Sequence, residues 1–189
     1  MDDLKNITFP DRIRRCALAI QKRGITALGA LYDLSAQRVL RYAYTMTRNQ
    51  ADAEDVLQAA MTKIALNPKN LAQAQHPWAY FLKVVRNEAI RLLRKKKAQA
   101  IDSAVLDQRA ADPEKIVEEE LKQLVNLALQ KLPAEQAEVV VLKIWEGMTF
   151  AEIGQVLDQS PNTVASRYRY AINKLAVSLQ QFSGEVTHG

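Results

Sequence analysis

The chain has 189 residues, of which 48% are apolar and 25% charged. That is enough apolar material for a packed core, at the size of one large or two small domains. One cysteine, Cys16, excludes an internal disulfide framework, and two distant histidines, His76 and His188, argue against a metal centre. No apolar run reaches the ~20 residues of a membrane helix, and the acidic start Met1-Asp2-Asp3 lacks the order of a secretory leader. A cytoplasmic protein without a membrane span is expected. The net charge of +5 is modest but unevenly spread. Seven basic residues and one acid fall between Lys83 and Lys97, whereas seven acids and two basic residues fall between Ala98 and Glu120. Such asymmetry marks a polyanion-binding face, or else two solvated surfaces.

Glycine and proline are scarce, six each, and apolar residues recur at helical spacing almost throughout. The sequence predicts an all-α protein of two small helical domains, the second containing a helix-turn-helix. The first domain spans 1–97, a linker 98–113 ends at Pro113, a four-helix unit spans 114–182, and 183–189 is a loose tail. Helices are expected at 12–23, 29–47, 52–66, 77–97, 114–131, 134–146, 149–157 and 161–179. The basic segment 1–24 fits no motif.

In helix 52–66, Val56, Ala60 and Ile64 make the buried face and leave Asp55 and Gln58 outside. Asp52, Glu54 and Asp55 lie in its first turn, where the helix dipole alone explains them. A docking surface for a basic partner is the functional alternative. Helix 77–97 gathers Trp78, Phe81, Leu82, Val85, Ala89, Leu92 and Leu93 on one half of the wheel. Lys83, Arg86, Asn87, Arg94 and Lys97 take the other half. That basic stripe follows Trp78 and Tyr80, aromatics able to stack on unpaired bases, although Trp78 also suits the core.

The sharpest signal is C-terminal. Thr149-Phe150-Ala151-Glu152 is a capping box, Asp158-Gln159-Ser160-Pro161 breaks the helix, and Ser160 caps the next one with Pro161 at its first position. Val164, Tyr168, Ala171 and Leu175 form one apolar face of that second helix. Asn162, Ser166, Arg169, Tyr170 and Asn173 lie opposite, with Thr163 and Arg167 on the flank. A helix-turn-helix reads the major groove in this way, with Asn and Arg suited to base edges. The bland alternative is an ordinary helical hairpin. No nucleophile, histidine dyad or glycine-rich phosphate loop accompanies these features, so no catalytic residue, metal or cofactor is expected.

Asp52-Ala53-Glu54-Asp55-Val56-Leu57-Gln58, His76-Pro77-Trp78-Ala79-Tyr80, Arg86-Asn87-Glu88-Ala89-Ile90 and the basic run 94–97 resemble the second conserved region of bacterial sigma-70-type factors. Leu132-Pro133-Ala134, Gly147-Met148-Thr149-Phe150-Ala151-Glu152-Ile153-Gly154 and Thr163-Val164-Ala165-Ser166-Arg167 resemble the fourth. Only these two regions occur, which is the layout of the extracytoplasmic-function (ECF) subgroup. The resemblance implies a non-enzymatic promoter-specificity subunit of RNA polymerase. Asp52, Glu54, Asp55 and Gln58 would dock on the β′ clamp helices, and the β flap would be a second polymerase contact. Trp78, Tyr80, Lys83, Arg86, Asn87, Arg91, Arg94 and Lys95 would engage the −10 element. A loop near Asn67–His76 would line a pocket for a flipped base. Thr149, Asn162, Thr163, Ser166, Arg167, Arg169 and Tyr170 would read the −35 element. An anti-sigma factor is a possible partner. Arg91, Ala59-Ala60, Ile64, Tyr170 and Ile172 depart from the family pattern. A stand-alone helix-turn-helix regulator and a sigma-like adaptor remain the alternatives at this level.

Overall fold

The computed structural model describes residues 7–102, 125 and 127–186. Helix α1 (Phe9–Arg23) starts earlier than the periodicity predicts, because Thr8 caps it by accepting from the Asp11 amide and Pro10 sits in its first turn. It stops at Gly24, whose φ of 68° is a conformation glycine adopts without strain. A 3₁₀ turn (Gly24–Ala27) leads into α2 (Leu28–Thr47). Asn49 caps α3 (Gln50–Leu66). A short helix α4 (Pro68–Gln73) follows where a loop was expected, initiated by Pro68. Helix α5 runs over Pro77–Asp102. It overshoots the expected end at 97 because residues 98–102 contain no glycine or proline to stop it.

Most of the expected helix 114–131 and linker 98–113 lies outside the described residues, although 127–131 is helical. Helix α6 (Ala134–Val140) passes directly into a π-type turn over Val141–Trp145, where continuous α-helix to 146 was expected. The Glu146 amide reaches back five residues to the Val141 carbonyl, and Gly147, at φ 67°, closes the turn. Helix α7 (Phe150–Leu157) and helix α8 (Pro161–Val186) form the helix-turn-helix. Helix α8 extends past 179, so 183–186 are helical rather than a loose tail.

Ile13, Leu31, Tyr42, Val56, Phe81 and Leu82 are fully buried among α1, α2, α3 and α5. Leu142, Ile153, Val156, Val164 and Ala171 are the matching core of the second domain. Each such side chain contributes about 1.5–3 kcal/mol by leaving water. The two cores are continuous, because α7 packs on α5 and α6 on α2. Arg48, left-handed at φ 53°, donates to the carbonyls of Gln130 (2.5 Å) and Leu132 (2.8 Å), tying the end of α2 to the second domain.

Candidate nucleic-acid interface

Helix α5 buries its apolar half, as the wheel predicts, except for half-buried Leu92 and exposed Leu93. Trp78 is only 4% exposed, edge-on to Phe9 at 5.0 Å and to Phe81 at 5.9 Å. Tyr80, Lys83 and Arg86 are half-buried. Asn87, Arg91, Arg94, Lys95 and Lys97 are exposed along the distal part of the helix. Of these, Arg91 returns to its own helix and pairs with buried Glu88 at 2.8 Å. Burial pushes the Glu88 carboxyl up, but Lys63 and Arg91 outweigh it and hold it below its ordinary value.

The proximal part of the stripe is covered by acids of the second domain. Glu138, on α6, accepts from the Arg86 Nε and from the Tyr42 hydroxyl, both at 3.1 Å. Glu146 accepts from the Trp78 indole N–H at 3.1 Å and from Arg38 at 3.2 Å, with Arg41 at 3.5 Å. Asp158, in the helix-turn-helix turn, pairs with Lys83 at 2.5 Å. Burial pushes both the Glu138 and Glu146 carboxyls up despite these cations, and it pushes the Tyr42 hydroxyl well up. Trp78, Lys83 and Arg86, three of the residues expected to meet DNA, are thus occupied by carboxylates. Sequence reasoning missed Tyr42, Glu138 and Glu146. Glu138, flanked by Ala137 and Val139–Val141 on an apolar helix, was the available signal, but what it meets depends on how the domains dock.

The helix-turn-helix forms as its local chemistry dictates. The Thr149 amide donates to Glu152 Oε2 at 2.8 Å, and the Glu152 amide donates to Thr149 Oγ1 at 3.2 Å. The Thr149 hydroxyl is therefore spent on the cap. Burial raises the Glu152 carboxyl, but the Thr149 amide and hydroxyl outweigh it and hold it low. A Cβ on Gly154 would stand 2.6 Å from the Gln159 carbonyl oxygen, so the tight turn requires glycine there. Asp158 ends α7 at φ 56°, and Ser160 caps α8 by accepting from the Thr163 amide at 3.1 Å. Asn162, Thr163, Arg169 and Tyr170 are exposed, Tyr170 by 66%. Ser166 and Arg167 are half-buried, with Arg169 donating to Ser166 at 3.4 Å and Arg167 paired with Glu135 at 2.9 Å.

On α3, Asp55 and Gln58 are exposed. Glu54 is exposed and accepts from Gln50 at 2.8 Å. Asp52 is buried, with both oxygens held by Lys96 at 2.6 and 2.7 Å. Among the described residues no group of three or more His, Cys, Asp or Glu side chains could hold a metal ion, and no helix is long and apolar enough to cross a membrane.

Sigma-70 region 2 matches residues 31–99, and sigma-70 region 4 matches residues 122–175. The chain is 29% identical over 158 residues to the ECF RNA polymerase sigma factor SigL of Mycobacterium tuberculosis, covering 80% of this chain and 88% of that protein. It is 26% identical over 145 residues to the RNA polymerase sigma factor SigV of Bacillus subtilis, covering 76% and 85%. Its fold is similar to that of the sigma factor RpoE from Bartonella quintana, solved with the anti-sigma factor NepR. The TM-score is 0.71 at 21% identity, over 82% of this chain and 98% of that one. It is similar also to CnrH in complex with the cytosolic domain of CnrY, with a TM-score of 0.65 at 23% identity, over 90% and 99%. Both conserved regions are present in order on a fold shared with sigma factors, and the chain belongs to the sigma-70 family, in its extracytoplasmic-function subgroup, as an RNA polymerase sigma factor.

Proposed function

We propose that this sigma factor joins core RNA polymerase through Glu54, Asp55 and Gln58 on the β′ clamp helices, with Asp52 bracing that surface through Lys96, and through the second domain on the β flap. In this reading it works inside the cytoplasm and carries no catalytic centre. The exposed distal stripe of α5, with Asn87, Arg94 and Lys95, tracks the −10 backbone. Arg91 adds charge at the same edge. Trp78 and Tyr80 serve unpaired bases, and Lys83 and Arg86 serve phosphates. Asn162, Thr163, Arg169 and Tyr170 read the −35 duplex, with Ser166 and Arg167 behind them. Thr149 acts there through its cap, which aims the N-terminus of α7 at the phosphate backbone. Promoter melting proceeds by capture of unstacked bases, which cost a few kcal/mol each, so binding alone drives it.

The observation that carries this reading is the pairing, on one chain, of an exposed basic stripe and a helix-turn-helix whose outer face is polar and open. Trp78, Lys83 and Arg86 face carboxylates of the second domain here, so their contact with DNA requires the domains to part. An anti-sigma partner suits the docked arrangement, since the similar RpoE and CnrH folds were each solved with one. In-vitro transcription with bacterial core polymerase on a genomic-fragment library tests the assignment. Discrete new start sites are expected. Polymerase binding without transcripts would mean an adaptor, and neither would mean a stand-alone DNA binder.

A further inference from the structure

Helix α1 precedes the region 2 match, which begins at residue 31, yet it packs on the segment that leads into the Trp78 helix. Residues 74–76 connect α4 to α5 in non-helical backbone, so the Ala74 and Gln75 carbonyls have no ladder to join. Both are nevertheless satisfied. The Arg14 guanidinium donates through Nη2 to the Gln75 carbonyl at 2.6 Å and through Nη1 to the Ala74 carbonyl at 3.5 Å. The His76 carbonyl accepts from the Tyr80 amide at 2.9 Å, which starts α5. Two turns of α1 thus fix where the loop ends and where α5 begins. The same helix also holds the next side chain: Phe9 stands edge-on to Trp78 at 5.0 Å, and Arg38 lies 3.8 Å over the Phe9 ring. Of the arginines on α1, Arg12, Arg15 and Arg23 are exposed, and Arg14 is the half-buried one that reaches the loop. A lysine could hold one carbonyl, whereas the planar guanidinium fork holds two at once.

We infer that Arg14 is a positioning residue for promoter recognition: it sets the 74–76 loop, and with it Trp78, in the geometry that selects an unpaired base of the −10 element. This rests on the assignment of α5 to −10 DNA made above. A rigid pocket discriminates bases because an off-geometry base leaves hydrogen-bonding groups unpaired; a loop freed from Arg14 adapts to any base.

The test uses holoenzyme reconstituted from core polymerase and the full chain, with Arg14→Ala, Arg14→Lys and, on the same helix, Arg15→Ala. Two templates are compared: a duplex promoter, and a premelted one in which each −10 base is substituted in turn. Arg14→Ala is expected to slow open-complex formation on the duplex by about tenfold, the loss of a charge-assisted hydrogen bond. On the premelted template it should flatten the penalty for a wrong base at one or two positions. Core binding and −35 duplex binding should stay at the wild-type level, and the melting temperature should fall by no more than a few degrees. Arg14→Lys should recover part of both effects, and Arg15→Ala should match wild type. Unchanged melting and base selectivity in Arg14→Ala would overturn the inference. So would a uniform loss of core binding, duplex binding and stability that Arg14→Lys does not relieve, which would make α1 mere packing. Arg94→Ala and Tyr80→Ala separate the underlying assignment: if both leave promoter melting intact, α5 does not read the −10 element and the role given to Arg14 falls with it.

Discussion

Glu138→Ala probes the seam between the domains most directly. The Glu138 side chain is 5% exposed and accepts from Tyr42 and Arg86, two residues of the other domain. Truncation leaves both donors without an acceptor. A hydrogen bond involving a charged group contributes about 1.5–3 kcal/mol, and two are lost. The Arg86 side chain is 19% exposed, so water recovers part of its bond. The net loss of docking free energy is therefore about 3 kcal/mol, or about a hundredfold in the ratio of docked to parted domains. Glu138→Gln keeps an acceptor oxygen and resembles the protonated carboxyl that burial favours, so it should shift the ratio far less than Glu138→Ala. The assay is single-molecule energy transfer between dyes at exposed positions, Lys69→Cys and Lys174→Cys, in a Cys16→Ser background. Tighter binding of a single-stranded −10 oligonucleotide, in the same order of variants, is the second readout, because Arg86 is released. A wild-type distance distribution and a wild-type oligonucleotide affinity in Glu138→Ala would refute the argument that this carboxylate holds the domains together.

Burial raises the Glu138 and Glu146 carboxyls in the docked state, against Arg86, Tyr42 and Arg167 around the first and Arg38, Arg41 and Trp78 around the second. The docked state then binds more protons, so docking should be strongest below the ordinary glutamate value and weaken as pH rises through the raised values. Glu88 and Glu152 are held low, so the stability they add is complete above the ordinary glutamate value and is lost as pH falls through their lowered values. The same dye pair checks this, and a docked fraction that grows with pH would contradict it. Gly154→Ala should distort the turn against the Gln159 carbonyl, cost the second domain about 1–3 kcal/mol and abolish −35 duplex binding, as read by thermal melting and a duplex binding titration. Thr149→Ala should remove the capping box, cost about 1 kcal/mol and lower the melting temperature by a few degrees while leaving core polymerase binding intact.

The features that are local in sequence were legible. Thr149 with Glu152, and Ser160 with Pro161, specify the two helix starts of the helix-turn-helix through contacts within four residues, and the structure forms both. The wheel of α5 separates its core face from its basic face, because 100° per residue needs no tertiary information. The exact ends were less legible. Nothing between Ala98 and Asp102 stops a helix, so α5 runs on, and nothing in Val141–Trp145 announces a π turn. The partners of the basic stripe were illegible for another reason. Glu138 meets Arg86 across 52 positions of chain, and Glu146 meets Trp78 across 68. Such pairs depend on domain docking rather than on periodicity. For Trp78 the ring is buried, as the core reading of the sequence expects, and its N–H donates to Glu146 across the seam.

The chain has two tryptophans, Trp78 and Trp145. The first donates its indole N–H to a carboxylate that leaves when the domains separate. Its emission must then redden and become quenchable by small solutes, because a sheltered, hydrogen-bonded ring passes into water. Trp145→Phe leaves that ring as the sole reporter. Under the proposed parting of the domains, the protein therefore carries its own optical gauge, readable on an unlabelled sample as polymerase, promoter or inhibitor is titrated in.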